Sequence, residues 1–241
     1  MSNINPYEIH GSSNTLSKSF MANVFLWMFV ALGITAATAY YFGTRPELIQ
    51  MLLKVKSDGS VGMSILGWVV MLAPFGMVML MSFGLEKMKT STMVALFVIY
   101  SVLMGMSLSF IFLAYTSASI FKTFIITSAT FGIMAVVGYT TNIDLTKIGS
   151  ILLMGLIGII IASLVNVFMK SERLDFIISI IGVLIFTGLT AYDVQKLKQI
   201  GMAEIEDGET TKKLAIHGAL SLYLDFINLF LYLLRFFGKR K

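Results

Sequence analysis

Seven apolar runs, each long enough to cross a bilayer, take up almost the whole chain and leave it few other ways to fold. They lie near residues 20–43, 61–85, 92–115, 120–140, 148–169, 174–196 and 214–237. A helix needs about 20 apolar residues to span the ~30 Å hydrocarbon layer. The separators carry charge and helix breakers: TRPELIQ with KVKSDGS, LEKMKTS, YTSAS, TTNIDLTK, KSERLD and QKLKQIGMAEIEDGETTKK. Only helices and closed barrels satisfy their backbone in lipid. A barrel would alternate polar and apolar residues over shorter stretches, which these runs do not. The expected fold class is an all-α integral membrane protein of seven transmembrane helices. Its parts are a polar N-terminal tail (1–19), the seven-helix domain (20–238) and a basic tail (239–241).

Composition closes off several chemistries. Hydrophobic residues make up 57% and charged residues 13%, which leaves no stretch for a separate soluble domain. The absence of Cys excludes disulfides and thiolate metal sites, and two histidines, His10 and His217, cannot build a His-rich metal centre. No cofactor is expected, although cations that prefer hard oxygen ligands remain compatible with the chain. The net charge of +5 comes from Lys and Arg that flank the spans, so the partner is the lipid bilayer. No basic-aromatic stripe supports nucleic-acid binding. Residues 1–19 lack the charged start and small-residue cleavage site of a signal peptide, so the first span is expected to be retained. An odd number of spans puts the N-terminus with the 2–3, 4–5 and 6–7 loops. That side carries eight basic residues against ten opposite. The expected orientation is N-terminus inside, since the first helix leads insertion.

Helices in lipid gain contact by letting backbones approach, and small residues mark where they do so. Gly155 and Gly158 are expected to serve this in the fifth span, and Gly105 with Ser107 and Ser109 in the third. Pro74 lies inside the second span and removes one hydrogen-bond donor there.

Charge inside the spans is scarce, which makes Asp225 informative. It sits in LSLYLDFINLFLYLLRFF, roughly 16 Å into the seventh span. An ionised Asp near a helix centre costs on the order of 2.5–3.5 kcal/mol on insertion scales. His217, Ser221 and Asp225 recur at four-residue steps, with Asn228 three beyond, so they share one face broadly. Leu222, Phe226, Leu229, Leu233 and Phe236 form the opposite face. An apolar helix with a narrow polar stripe belongs inside a bundle, and the seventh is expected to be central. Asp193, in GLTAYDVQKLK, ends the sixth span. The sixth and seventh helices are consecutive and antiparallel, so Asp193 and Asp225 can approach from adjoining ends. Two carboxylates that close titrate as a unit. Such a pair is a proton-controlled latch: closed while it shares a proton, repelled and open to a cation when both members are ionised.

GLTAYDVQKLK (188–198) with GALSLYLDFINLFLYLLRFFG (218–238) resembles the paired signature of the Bax inhibitor-1 family, in its bacterial branch. The similarity extends back through SLSFIFLAYTSASIFKTFIITSATFGIMAVVGYTTNIDLTKIGSILLMGLIGIIIASLVNVF (107–168) and covers roughly residues 85–238. The resemblance implies a seventh helix wrapped by the other six, in a multi-pass protein of the bacterial inner membrane. It also implies a pH-sensitive calcium leak gated by two aspartates, which the motifs place at Asp193 and Asp225. Tyr192, His217, Ser221 and Asn228 are the polar residues expected to support them. The chain departs from the family pattern in its second span, 61–85, which lacks an acidic residue within the helix and an Arg near its end. Gly84 falls at that basic position.

The expected function is therefore a cation leak, with Ca²⁺ the permeant ion because oxygen ligands suit it. Asp193 and Asp225 are also the residues expected to ligate any bound metal. A second reading is an interaction protein whose N-terminal tail, 1–19, modulates a membrane-anchored protease. An enzyme is not expected. Intramembrane aspartyl proteases also place a YD motif and a second Asp on consecutive helices. Their second Asp, however, sits in a GxGD context, whereas this chain has Leu222, Tyr223 and Leu224 before Asp225. A monomer is expected.

Overall fold

A computed structural model describes residues 6–55, 61–203 and 207–241. The elements run α1 (Pro6–Gly43), α2 (Pro46–Leu52), β1 (Leu53–Val55), β2 (Val61–Met63), α3 (Ile65–Gly84), α4 (Thr90–Leu108), α5 (Ile111–Ala114), α6 (Ser117–Thr140), α7 (Thr146–Met169), α8 (Glu172–Met202) and α9 (Gly208–Phe237). Seven stretches are long and apolar enough to cross a membrane: Leu16–Gly43, Ile65–Gly84, Thr90–Ala114, Ser117–Thr140, Thr146–Met169, Glu172–Met202 and Gly208–Phe237. The protein is an all-α membrane protein.

The boundaries differ from the sequence reading in instructive places. α1 begins at Pro6, inside the stretch read as a polar tail; residues 1–5 lie outside the described residues. The second span opens at Ile65 because residues 61–63 instead pair antiparallel with 53–55, Leu53 opposite Met63 and Val55 opposite Val61. The third run contains a break. α4 ends at Leu108, the Ser109 hydroxyl donates to the Met106 carbonyl at 2.6 Å, and α5 resumes at Ile111. Most of the presumed loop between the last two spans is helix, since α8 continues to Met202 and α9 begins at Gly208. Of the acidic stretch 204–209, residues 204–206 lie outside the described residues. Asp207 accepts the Glu209 amide at 3.0 Å and the Thr210 hydroxyl at 2.6 Å, which caps α9. The Thr210 hydroxyl, with the Glu209 amide, holds the Asp207 carboxyl below the usual carboxylate range.

The chain forms two compact units. One holds α6, α7 and α8 with the start of α1 and α9 from Ser221 onward. The other holds α1 from Asn23, the elements from α2 to α5, and α9 up to Leu220. In the second unit the Thr35 hydroxyl donates to the Ser101 carbonyl at 2.8 Å, joining α1 to α4 where the small residue Gly105 lets them close. Ser64 starts α3 by accepting the Gly67 amide at 3.0 Å, and its hydroxyl donates to the Met51 carbonyl at 2.9 Å. Pro74 sits in a continuous α3. Lys241 Nζ donates to the Phe112 carbonyl at 2.6 Å and its amide to the Ala114 carbonyl at 3.0 Å, which satisfies carbonyls left open at the C-terminal end of α5.

In the first unit α8 packs along both α6 and α7. It runs antiparallel to α9, because Asp175 meets Arg235 at one end while Asp193 meets Ser221 toward the other. The Asp175–Arg235 ion pair is 3.0 Å long with side chains 28% and 39% exposed. Water screens such a pair, so Arg235→Gln is expected to cost no more than about 1 kcal/mol. Thermal unfolding in detergent should show an almost unchanged midpoint.

Candidate functional site

α8 has three committed faces. Toward α9 it presents Asp175, Phe186 and Asp193; the Phe186 ring lies 5.8 Å from that of Tyr232. Toward α7 it presents Ile185 against Gly155 and Tyr192 against Gly149. Toward α6 and the α6–α7 connection it presents Ala191 against Gly138, Gln195 against Ile143 and Leu145, and Lys198 on Tyr139. Each stripe follows the three- and four-residue steps of a helix face. Together they determine the rotation of α8, and with it the direction of the Asp193 side chain.

Asp193 is half-buried and accepts the Ser221 hydroxyl of α9 at 2.5 Å through Oδ2. Asp225 lies one turn beyond Ser221 and is buried, with 6% exposed. Its Oδ2 makes no hydrogen bond among the described residues. Asp193 is within electrostatic reach of it. Arg235, with the basic residues 239–241 beyond it, marks a membrane surface. Asp225 lies about 15 Å further along α9, near the middle of a ~30 Å hydrocarbon layer. Ser221 and then His217 continue from Asp225 toward the other surface. Between Asp225 and Arg235 the helix is apolar apart from Asn228 and Tyr232. Phe226 packs edge-on to Phe124 and Phe131 of α6 at 5.5 Å each, and Leu229 and Leu233 are buried. The stripe of His217, Ser221 and Asp225 therefore reaches mid-depth from one side, where Phe226 meets the aromatic rings of α6.

The remaining predicted residues fall elsewhere. His217 is half-buried one turn before Ser221. Asn228 donates to the Leu224 carbonyl of its own helix at 2.8 Å. Tyr192 lies with its ring on Gly149, on the face of α8 that meets α7. The structure thus brings Ser221 to Asp193, with Asp225 next along the helix, and commits Tyr192 and Asn228 to packing. Burial sets α9 apart: 67% of its most apolar stretch is buried, against 6% in α7.

Sequence reasoning missed Gln195. Its side-chain amide donates to the Ile143 carbonyl at 2.8 Å and accepts the Leu145 amide at 2.8 Å, so it fastens α8 to the α6–α7 connection. Lys198 Nζ donates to the Tyr139 carbonyl at 2.8 Å, near the end of α6. Nearby, Asp144 accepts the Thr146 amide at 2.9 Å, and the Thr146 side chain and amide hold its carboxyl below the usual range. The signal for Gln195 was its spacing, four residues after Ala191.

These features define a seven-span helical membrane protein with a carboxylate buried at mid-depth beside a second, serine-bonded one. The family model described as inhibitor of apoptosis-promoting Bax1 matches residues 17–241, and the chain belongs to the Bax inhibitor-1 family. It is 48% identical over 226 residues to an uncharacterised protein of Borreliella burgdorferi, covering 94% of each chain. It is 43% identical over 225 residues to the inner membrane protein YbhL of Escherichia coli K12, covering 93% of each. An uncharacterised protein of Caulobacter vibrioides is 41% identical over 224 residues, covering 92% of this chain and 88% of the other.

Proposed function

We propose that this chain is a pH-sensitive cation leak, with Ca²⁺ as the permeant ion, gated by Asp193 and Asp225. The observation that carries the reading is the buried Asp225 carboxylate, with an oxygen that has no hydrogen-bond partner among the described residues, one turn from the serine that binds Asp193. A carboxylate left so at mid-depth is costly unless its charge is used. A purely structural Asp would place both oxygens on donors. At low pH the pair shares a proton and the path is closed. As pH rises both members ionise, repel each other and present oxygen ligands to a cation. The aromatic block of Phe226, Phe124 and Phe131 is the apolar part of the closed state. The high burial of α9 supports a central place for it in the bundle.

The name of the Escherichia coli relative supports placement in the bacterial inner membrane, and the N-terminus is assigned to the cytoplasm. No resident cofactor and no catalytic step belong to this reading. The test is calcium uptake into liposomes holding the purified protein, followed between about pH 6 and 8. The expected result is uptake above that of empty liposomes, rising with pH. Uptake equal to that of empty liposomes at every pH would end the leak reading and leave the protease-modulating role of the N-terminal segment as the one to pursue.

A further inference from the structure

We infer that Gln195 is a positioning residue for the gate: its amide clamps the last turns of α8 so that Asp193 stays within reach of Ser221. This rests on the reading of Asp193 and Asp225 as the gate, while the geometry is independent of it. Gln195 is buried, 8% exposed, and both ends of its amide are used on one short backbone segment. The nitrogen donates to the Ile143 carbonyl and the oxygen accepts the Leu145 amide, each at 2.8 Å. A buried amide that satisfies both ends on a neighbouring backbone fixes position and rotation together.

The clamp sits where the carboxylate needs it. Asp193 lies about 14 Å from the C-terminal end of α8, and helix ends fray. Lys198 adds a second tie to α6 through the Tyr139 carbonyl, and Gly138 lets the α6 backbone close on Ala191. Ala191, Gln195 and Lys198 recur at steps of four and three, so they form one face of α8. Asp193 points to a different face, toward Ser221. Loosening the α6 face therefore rotates the carboxylate away from its serine without touching either residue.

The carboxyl stretching band of Asp193, read by infrared spectroscopy at one fixed pH in lipid nanodiscs, tests this. The band is assigned by its loss in Asp193→Asn, and Ser221→Ala calibrates the shift caused by losing the serine hydrogen bond. Gln195→Met keeps the volume and removes both ends of the clamp. Leu145→Pro removes the amide that Gln195 accepts while leaving α8 unchanged. Either variant is expected to move the Asp193 band most of the way to its position in Ser221→Ala. If one does not fold, the other decides. A band at the wild-type position in a folded variant overturns the inference. A protein that passes no calcium in liposomes but shows the shift keeps the clamp and loses the leak.

Discussion

Asp225→Asn is expected to remove the pH dependence of calcium flux between about pH 6 and 8, where the unmodified protein should rise several-fold. The argument turns on what the second carboxylate does. Ser221 holds Asp193 at 2.5 Å, and Asp225 follows one turn later on the same helix, with Cβ atoms of such neighbours about 5–6 Å apart. Asp193 is within electrostatic reach of Asp225, and unit charges about 5 Å apart would repel by ~3 kcal/mol at an effective dielectric of about 20. That is enough to change the population of an open state by roughly a hundredfold. Asn is nearly isosteric and uncharged at every pH, so the repulsion cannot develop. The size of the residual flux, open or closed, tells which state the neutral pair favours. An unchanged pH profile in Asp225→Asn would show that some other group senses the proton.

Gly138→Val should destabilise the protein by about 2–3 kcal/mol or more, the largest loss expected from any single methyl-scale change in α6. A Cβ at Gly138 would overlap the Ala191 carbonyl oxygen and lie 2.8 Å from the Ala191 Cα. Those atoms are backbone and cannot swing aside, so α6 and α8 must separate. Separation breaks dispersion contacts along the seam, the main attraction between helices in lipid. It also strains the Lys198 tie to Tyr139. Gly158→Ala is the matched control, because a Cβ there meets nothing within 4 Å. Thermal unfolding in detergent should show a clear fall for the first and none for the second. Equal midpoints would mean that α6 and α8 are not in close backbone contact.

The spans were legible because lipid leaves no alternative to apolar helices, and each run overlaps a membrane-length helical stretch, the third interrupted at Ser109 and Phe110. What was hard to read lay where polar residues are helical for tertiary reasons. KLKQIGM looks like the start of a loop, yet α8 continues through it. Gly201 packs on Phe20, and the Ser17 hydroxyl donates to the Lys198 carbonyl at 3.3 Å. Those contacts join residues far apart in sequence, and no local pattern announces them. The start of α9 was more accessible, since Asp207 with Thr210 is a recognisable cap.

For the candidate site, helical spacing was sufficient to pick Ser221, and antiparallel neighbours were sufficient to pair its helix with that of Asp193. The same antiparallel pairing puts Asp175 opposite Arg235 at the other end. Tyr192 shows the limit of spacing arguments. It adjoins Asp193 in sequence, but consecutive helical residues point about 100° apart, and its ring belongs to α7.

The three committed faces of α8 bear on how much this helix can vary. Before Ile185 its exposed large apolar residues are Phe176, Ile177, Ile180, Ile181 and Leu184. From Ile185 to Gln195 none is exposed. The first half of α8 can thus exchange one greasy residue for another along its outer edge, answering only to lipid. The stretch from Ile185 to Gln195 answers to neighbours on every side, so a viable change there calls for a matching change in another helix. The stretch that carries Asp193 is accordingly the part of α8 with the least room to drift one residue at a time.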